Sequence, residues 1–136
     1  MPISSIFQGN SQSVPGNTPS SQREVVNVYE DTTDVRTNHD IPLLFFATSL
    51  KGFRAMITVN VTVNVDADPN PNLSETFEIL GTNDGTSWSI SQTSIANTNG
   101  AANITFDITS AGQIRYSSTS TTGFTKRTLA WSVLAL

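Results

Sequence analysis

FRAMITVNVTVNVDADPN, residues 53–70, decides the fold class. Phe53, Ala55, Ile57, Val59, Val61, Val63 and Val65 fill the odd positions, while Arg54, Thr58, Asn60, Thr62, Asn64 and Asp66 fill even ones; Met56 is the exception. A two-residue rhythm places every apolar side chain on one face of an extended chain, the pattern of a half-buried β-strand and not of a helix. Thirteen residues, 53–65, would run roughly 43 Å at about 3.3 Å each, against about 17–20 Å for a common strand. Three explanations compete for that length. The ribbon bends at a bulge and serves two sheets; it extends past its own domain; or the whole sandwich is tall. A bare row of valines invites aggregation, so Val61, Val63 and Val65 are candidates for a strand surface covered by another subunit.

The rest of the composition agrees with an all-β chain. Of 136 residues, 37% are hydrophobic and only 13% are charged, where about a quarter is usual. Ser, Thr and Asn supply the polarity in place of the Glu and Lys that write helix surfaces. The length suits one domain with one core.

Charge and special residues exclude several function classes. The net charge is −4, and the seven Lys and Arg residues are scattered, so no phosphate-binding surface is expected and no nucleic-acid partner. The adjacent pair Lys126-Arg127 is expected to be a solvated strand start. There is no cysteine, hence no disulfide or thiolate metal site. The opening residues lack the basic and apolar regions of a secretory signal, and no apolar run approaches the roughly 20 residues that cross a bilayer.

Residues 1–22, rich in Ser, Gln, Asn, Pro and Gly, show neither periodicity. They are expected to form an extended or flexible arm, with Ile3, Ile6 and Phe7 as anchors that order against a neighbouring subunit. Residues 23–136 form the domain. REVVNVYED (23–31) alternates with an ambiguous facing. IPLLFFAT (41–48) is a continuous apolar run expected to be buried on both faces, with Pro42 at the strand's first residue. ETFEILGTNDGTSWSIS (75–91) is expected to be a hairpin turning at Asn83-Asp84-Gly85, followed by a polar connection, QTSIANTNGAA (92–102). Ile104, Phe106 and Ile108 share one face; Ile114 and Tyr116 point inward; Leu129, Trp131, Val133 and Ala135 share the last inward face. The count is about eight strands and no helix, which implies a single antiparallel β-sandwich, jelly-roll-like, plus the arm.

Chemistry finds little to work with. The single histidine, His39, reads as a loop residue beside Asp40; zinc needs several such ligands, and no nucleophile elbow is present. Asp66, Asp68 and Asn70 offer oxygens to a calcium ion but lack the rest of an EF-hand loop. Glu75, Glu78, Asp84 and Asp107 are candidates for carboxylate catalysis only by being acidic, with Glu78 and Asp107 on outward faces. No catalytic residue, metal or cofactor is assigned. Trp88 and Trp131 fall in phase with inward aliphatics, so core packing is expected in place of sugar stacking.

The string FEILGTNDGTSWSIS…ITFDITSAGQIRYSSTSTTGF, between Phe77 and Phe124, resembles β-rich segments of bacteriophage virion proteins: capsid-associated, spike and fibre proteins. The resemblance implies a non-enzymatic structural subunit of a virus particle, such as a minor capsid, vertex or decoration protein. It would be made in the host cytoplasm, assemble as a homo-oligomer and contact other virion proteins. The alternative it implies is a receptor- or carbohydrate-binding module of a spike or fibre, with a host glycan as partner.

Overall fold

The computed structural model describes residues 27–64 and 72–136. Val65, the Asp66/Asp68 pair and the arm residues Ile3, Ile6 and Phe7 lie outside them. Among the described residues there are eight strands and no helix: β1 (Asn27–Asp31), β2 (Arg36–Phe45), β3 (Gly52–Val63), β4 (Leu73–Asn83), β5 (Trp88–Thr98), β6 (Ile104–Ile108), β7 (Gln113–Ser118) and β8 (Phe124–Ala135). They form two sheets, one in the order β1-β8-β3-β4-β5 and one in the order β2-β7-β6. Every pairing is antiparallel. The first strand pairs with the last and the second with the seventh, the nesting of a long hairpin rolled into a sandwich.

The valine ribbon is the centre strand of the larger sheet, held by β8 on one side and β4 on the other. Its register with β4 runs unbroken from Gly52 opposite Thr82 to Val61 opposite Leu73. The ribbon is long because the sheet is tall: β3, β4, β5 and β8 each have 11 or 12 residues. Phe53, Ala55, Ile57, Val59, Val61 and Val63 all face the core. Val61 and Val63 are therefore covered by the chain's own interior, which corrects the expectation that they meet another subunit.

The core lies between the sheets. Trp88, Trp131, Phe77, Ile79, Ile104, Phe106, Ile114 and Leu129 are all buried in it, as their spacing predicts. Phe46 and Phe53 stack with ring centroids 3.7 Å apart and planes 4° apart, and Trp88 leans on both. Gly81 lies directly opposite Phe53, and a methyl group added there would overlap the Phe53 ring. The hairpin of β4 and β5 turns where expected: Asp84 accepts from the backbone N–H groups of Thr86 (2.8 Å) and Ser87 (2.9 Å), and Gly85 takes φ +97°.

Five further expectations need correction. β2 is not a doubly buried strand beginning at Pro42. It starts at Arg36 and breaks register twice; Ile41 and Leu44 point inward while Pro42, Leu43 and Phe45 are exposed. The Gln113 side-chain amide bridges the second break, donating to the carbonyls of Ile41 (2.9 Å) and Leu44 (3.3 Å). The polar stretch after Ser91 is not a connection, because β5 continues through it to Thr98. His39 is in β2, not in a loop. Ala135 is exposed, and Arg127 is fully buried; Arg127 shares the inward phase of Leu129 and Trp131.

Candidate functional site

Two features gather the polar side chains: a buried charged network that joins the sheets, and a cleft beside it. The network begins with register. Asn27, Tyr29 and Asp31 of β1 stand opposite Trp131, Leu129 and Arg127 of β8, so Asp31 and Arg127 both point into the interior at one end of the sandwich. Arg36 meets Asp31 through two bonds, Nε to Oδ2 at 2.8 Å and Nη2 to Oδ1 at 2.9 Å. The Tyr116 hydroxyl, from the opposite sheet, donates to the same carboxylate, and the Thr33 backbone N–H closes the shell at 3.0 Å. Burial pushes the Asp31 pKa up, but the donors from Arg36, Tyr116 and Thr33 outweigh it and hold the carboxyl well below the usual range. Burial, reinforced by the adjacent Asp31 charge, raises the Tyr116 hydroxyl above its ordinary value, and Tyr29 is raised for the same two reasons.

Among the described residues Arg127 has no carboxylate partner. Its guanidinium donates to the carbonyls of Thr33 (3.0 Å) and Asp34 (2.8 Å). It also lies over the rings of Phe124 (4.8 Å) and Tyr116 (5.5 Å), a cation held by dipoles and π faces. Tyr29 and His39 complete the cluster, the tyrosine oxygen lying 2.8 Å from His39 Nε2, with the imidazole edge-on to Tyr116. The arrangement is a fastener. Its polar atoms engage one another or nearby backbone carbonyls, apart from the buried Arg127 Nε, which has no hydrogen-bond partner among the described residues. It brings two strands of one sheet against two of the other.

The cleft opens where β2 leaves the ladder. Arg36 and Ile104 both stand opposite Ser118, so the start of β2, the end of β7 and the start of β6 meet at one end of the smaller sheet. Between Arg36 and His39 the register shifts, and Asn38 takes φ +47°. Side-chain hydroxyls replace the missing ladder acceptors: Ser118 accepts from the Arg36 N–H at 3.1 Å and Ser117 from the Asn38 N–H at 2.9 Å. A bulge of this kind re-aims side chains beside a site. The resulting cleft, about 480 Å³, is lined by Arg36, Thr37, Asn103, Ile104, Thr105, Ser117, Ser118 and Thr119. Hydroxyls, one amide and one guanidinium are groups that bind a polyhydroxylated ligand edge-on, through hydrogen bonds. No aromatic ring among the described residues lines it.

The acidic residues proposed from sequence are not brought together as a reacting pair. Glu75 is buried and accepts from the Ala102 N–H (2.8 Å) and the Ser94 hydroxyl (2.6 Å), which fastens the chain after β5 onto β4. Glu78 pairs with Arg54 at 2.6 Å and Asp107 with Arg115 at 2.6 Å, both on outward faces as expected. Asp84 shapes its turn. Among the described residues, no group of three or more His, Cys, Asp or Glu side chains is placed to hold a metal ion. Sequence reasoning missed the cleft and the Asp31–Arg36–Tyr116 network. The phase of Arg127 with Leu129 was the available sign that a cation enters the core.

No protein-family model matches the sequence, and no curated relative does. Among solved structures, the chain is similar to the tailspike protein of Acinetobacter phage vB_ApiP_P1, at 16% identity and a TM-score of 0.52, over 82% of this chain and 22% of that one. It is also similar to the tailspike protein of Acinetobacter baumannii phage AM24, at 11% identity and a TM-score of 0.44, over 82% and 26% of the two chains. The chain thus spans about a quarter or less of the tailspikes it matches. The first likeness is one of fold, and the second is too loose to carry an argument.

Proposed function

We propose that this chain is a non-enzymatic structural domain of a bacteriophage particle, of the kind carried by spike proteins, which assembles with further copies of itself and with other virion proteins. The observation that carries the reading is the shared sandwich: most of this chain matches one portion of a phage tailspike, and the segment from Phe77 to Phe124 independently resembles virion β-segments. The engagement of each acidic candidate in a structural bond supports the absence of catalysis. Residues 1–22 are proposed as the arm that docks on neighbours. Peptide mass spectrometry of particles purified from cells producing the chain tests the reading. Peptides at a fixed copy number relative to the major shell protein are expected; particles free of them would refute it.

A second reading, receptor binding, is favoured by the hydroxyl-lined cleft at Thr105 and Ser117. Both tryptophans are buried, so their fluorescence would be a poor reporter; amide chemical shifts serve instead. Host-surface oligosaccharides are expected to shift the amides of Thr105, Ser117 and Thr119, and Thr105→Glu, which fills the cleft with a charge, to abolish the shifts. Shifts that persist in Thr105→Glu would place binding elsewhere.

A further inference from the structure

β5 is the last strand of the five-stranded sheet, so one side of its backbone has no ladder partner among the described residues. Its first half is closed off. Trp88 is buried, and the Gln92 amide reaches across to β6, accepting from the Phe106 N–H at 2.9 Å and donating to the Ile104 carbonyl at 3.4 Å. Its second half is open, with Thr93 to Thr98 all exposed. Natural edge strands are blunted with lysine, proline, an inward charge or a bulge. This one carries no lysine, proline or other charge: from Gly85 to Phe106 there is no charged residue, the longest such run among the described residues. The other margin of the same sheet, β1, carries Glu30 and Asp31. One bulge interrupts β5, where Ile95 is the extra residue between the partners of Thr76 and Phe77. It leaves that isoleucine 53% exposed as the one large apolar side chain of the segment Thr93 to Thr98.

We propose that the open edge of β5, Thr93 to Thr98, is where a second copy of this chain adds to the sheet. Charge argues for a second copy. Each chain carries −4, so two copies repel unless they meet through surfaces without that charge. An uncharged edge offers a foreign acidic or basic segment nothing to select. Main-chain hydrogen bonds supply the attraction whatever the partner's sequence, as in strand addition generally, and Ile95 supplies an apolar anchor. The inference rests on the self-assembly part of the proposed function and names the surface that does it.

Light scattering with size-exclusion chromatography tests it on the full chain. The wild type is expected at a multiple of 14.6 kDa. Thr93→Lys/Ile95→Lys, which installs the usual edge protection, is expected at the monomer mass with an unchanged β-type circular dichroism spectrum. Asn60→Lys, an exposed site on the centre strand β3, is expected to keep the wild-type mass. Hydrogen exchange of the unaltered chain gives a readout free of any variant: protection of the Thr93–Thr98 amides should rise with protein concentration, while that of Asn27–Asp31 stays constant. A wild-type oligomer that survives the double substitution, or that Asn60→Lys dissociates, would overturn the β5 inference and leave self-assembly standing. A wild-type monomer with concentration-independent exchange would overturn both.

Discussion

The carboxylate of Asp31 is buried, which alone would favour its neutral form, yet Arg36, Tyr116 and the Thr33 N–H together favour the charged one. Its folded pKa is therefore depressed below the unfolded value of about 3.9. A depressed carboxyl contributes stability that is fully present above the unfolded pKa and is lost as pH falls through the folded one. Stability is expected to hold from neutral pH down to about pH 5 and to decline below about pH 4. Asp31→Asn keeps the side chain's shape but leaves the Arg36 guanidinium and Tyr116 hydroxyl without their anion. It should destabilise the protein at neutral pH by about 3–5 kcal/mol and flatten the acid decline, as measured by urea unfolding from pH 2 to pH 7. A variant that keeps the wild-type acid limb would assign the decline to other carboxylates.

At the scale of the element, strands were legible wherever one face meets the core and the other meets water. β3, β4, β6, β7 and β8 are of this kind, and their inward residues were readable from a two-residue period. β2 was not, because its two register breaks erase the period, and the hydroxyls of Ser117 and Ser118 and the amide of Gln113 that repair it come from a strand far along the chain. Of β5 only the hairpin arm Trp88 to Ser91 was legible, because its exposed far half is written mostly in Ser, Thr, Asn and Gln, the composition of a loop. The cleft was illegible for the first reason: it exists only where a bulge and three strand ends coincide. Packing between elements also explains a glycine. Gly81 of β4 leaves room for the Phe53 ring, which stacks on Phe46, the residue just after β2. Gly81→Ala should displace that stack and lower stability by about 1–3 kcal/mol, read as a fall in the thermal midpoint. An unchanged midpoint would mean the ring has room to move.

For the whole molecule, the long valine ribbon is the axis of a tall sheet, with β8 and β4 beside it at nearly its own length. The smaller sheet closes over it, and the Asp31–Arg36–Tyr116 contacts join the two at one end. Such a body offers rigid surfaces: a hydroxyl-lined cleft at one end, an uncharged edge along β5 and an outer face whose Arg54–Glu78 and Lys126–Glu30 pairs cancel locally. Surfaces of that kind suit assembly. Cryo-electron microscopy of purified particles tests this most directly. The account predicts a sandwich of five and three strands at symmetry-related positions of the particle, with the ribbon 53–63 inside each copy. Density at those positions that fits a different fold, or particles in which no copy of the chain is found, would contradict it.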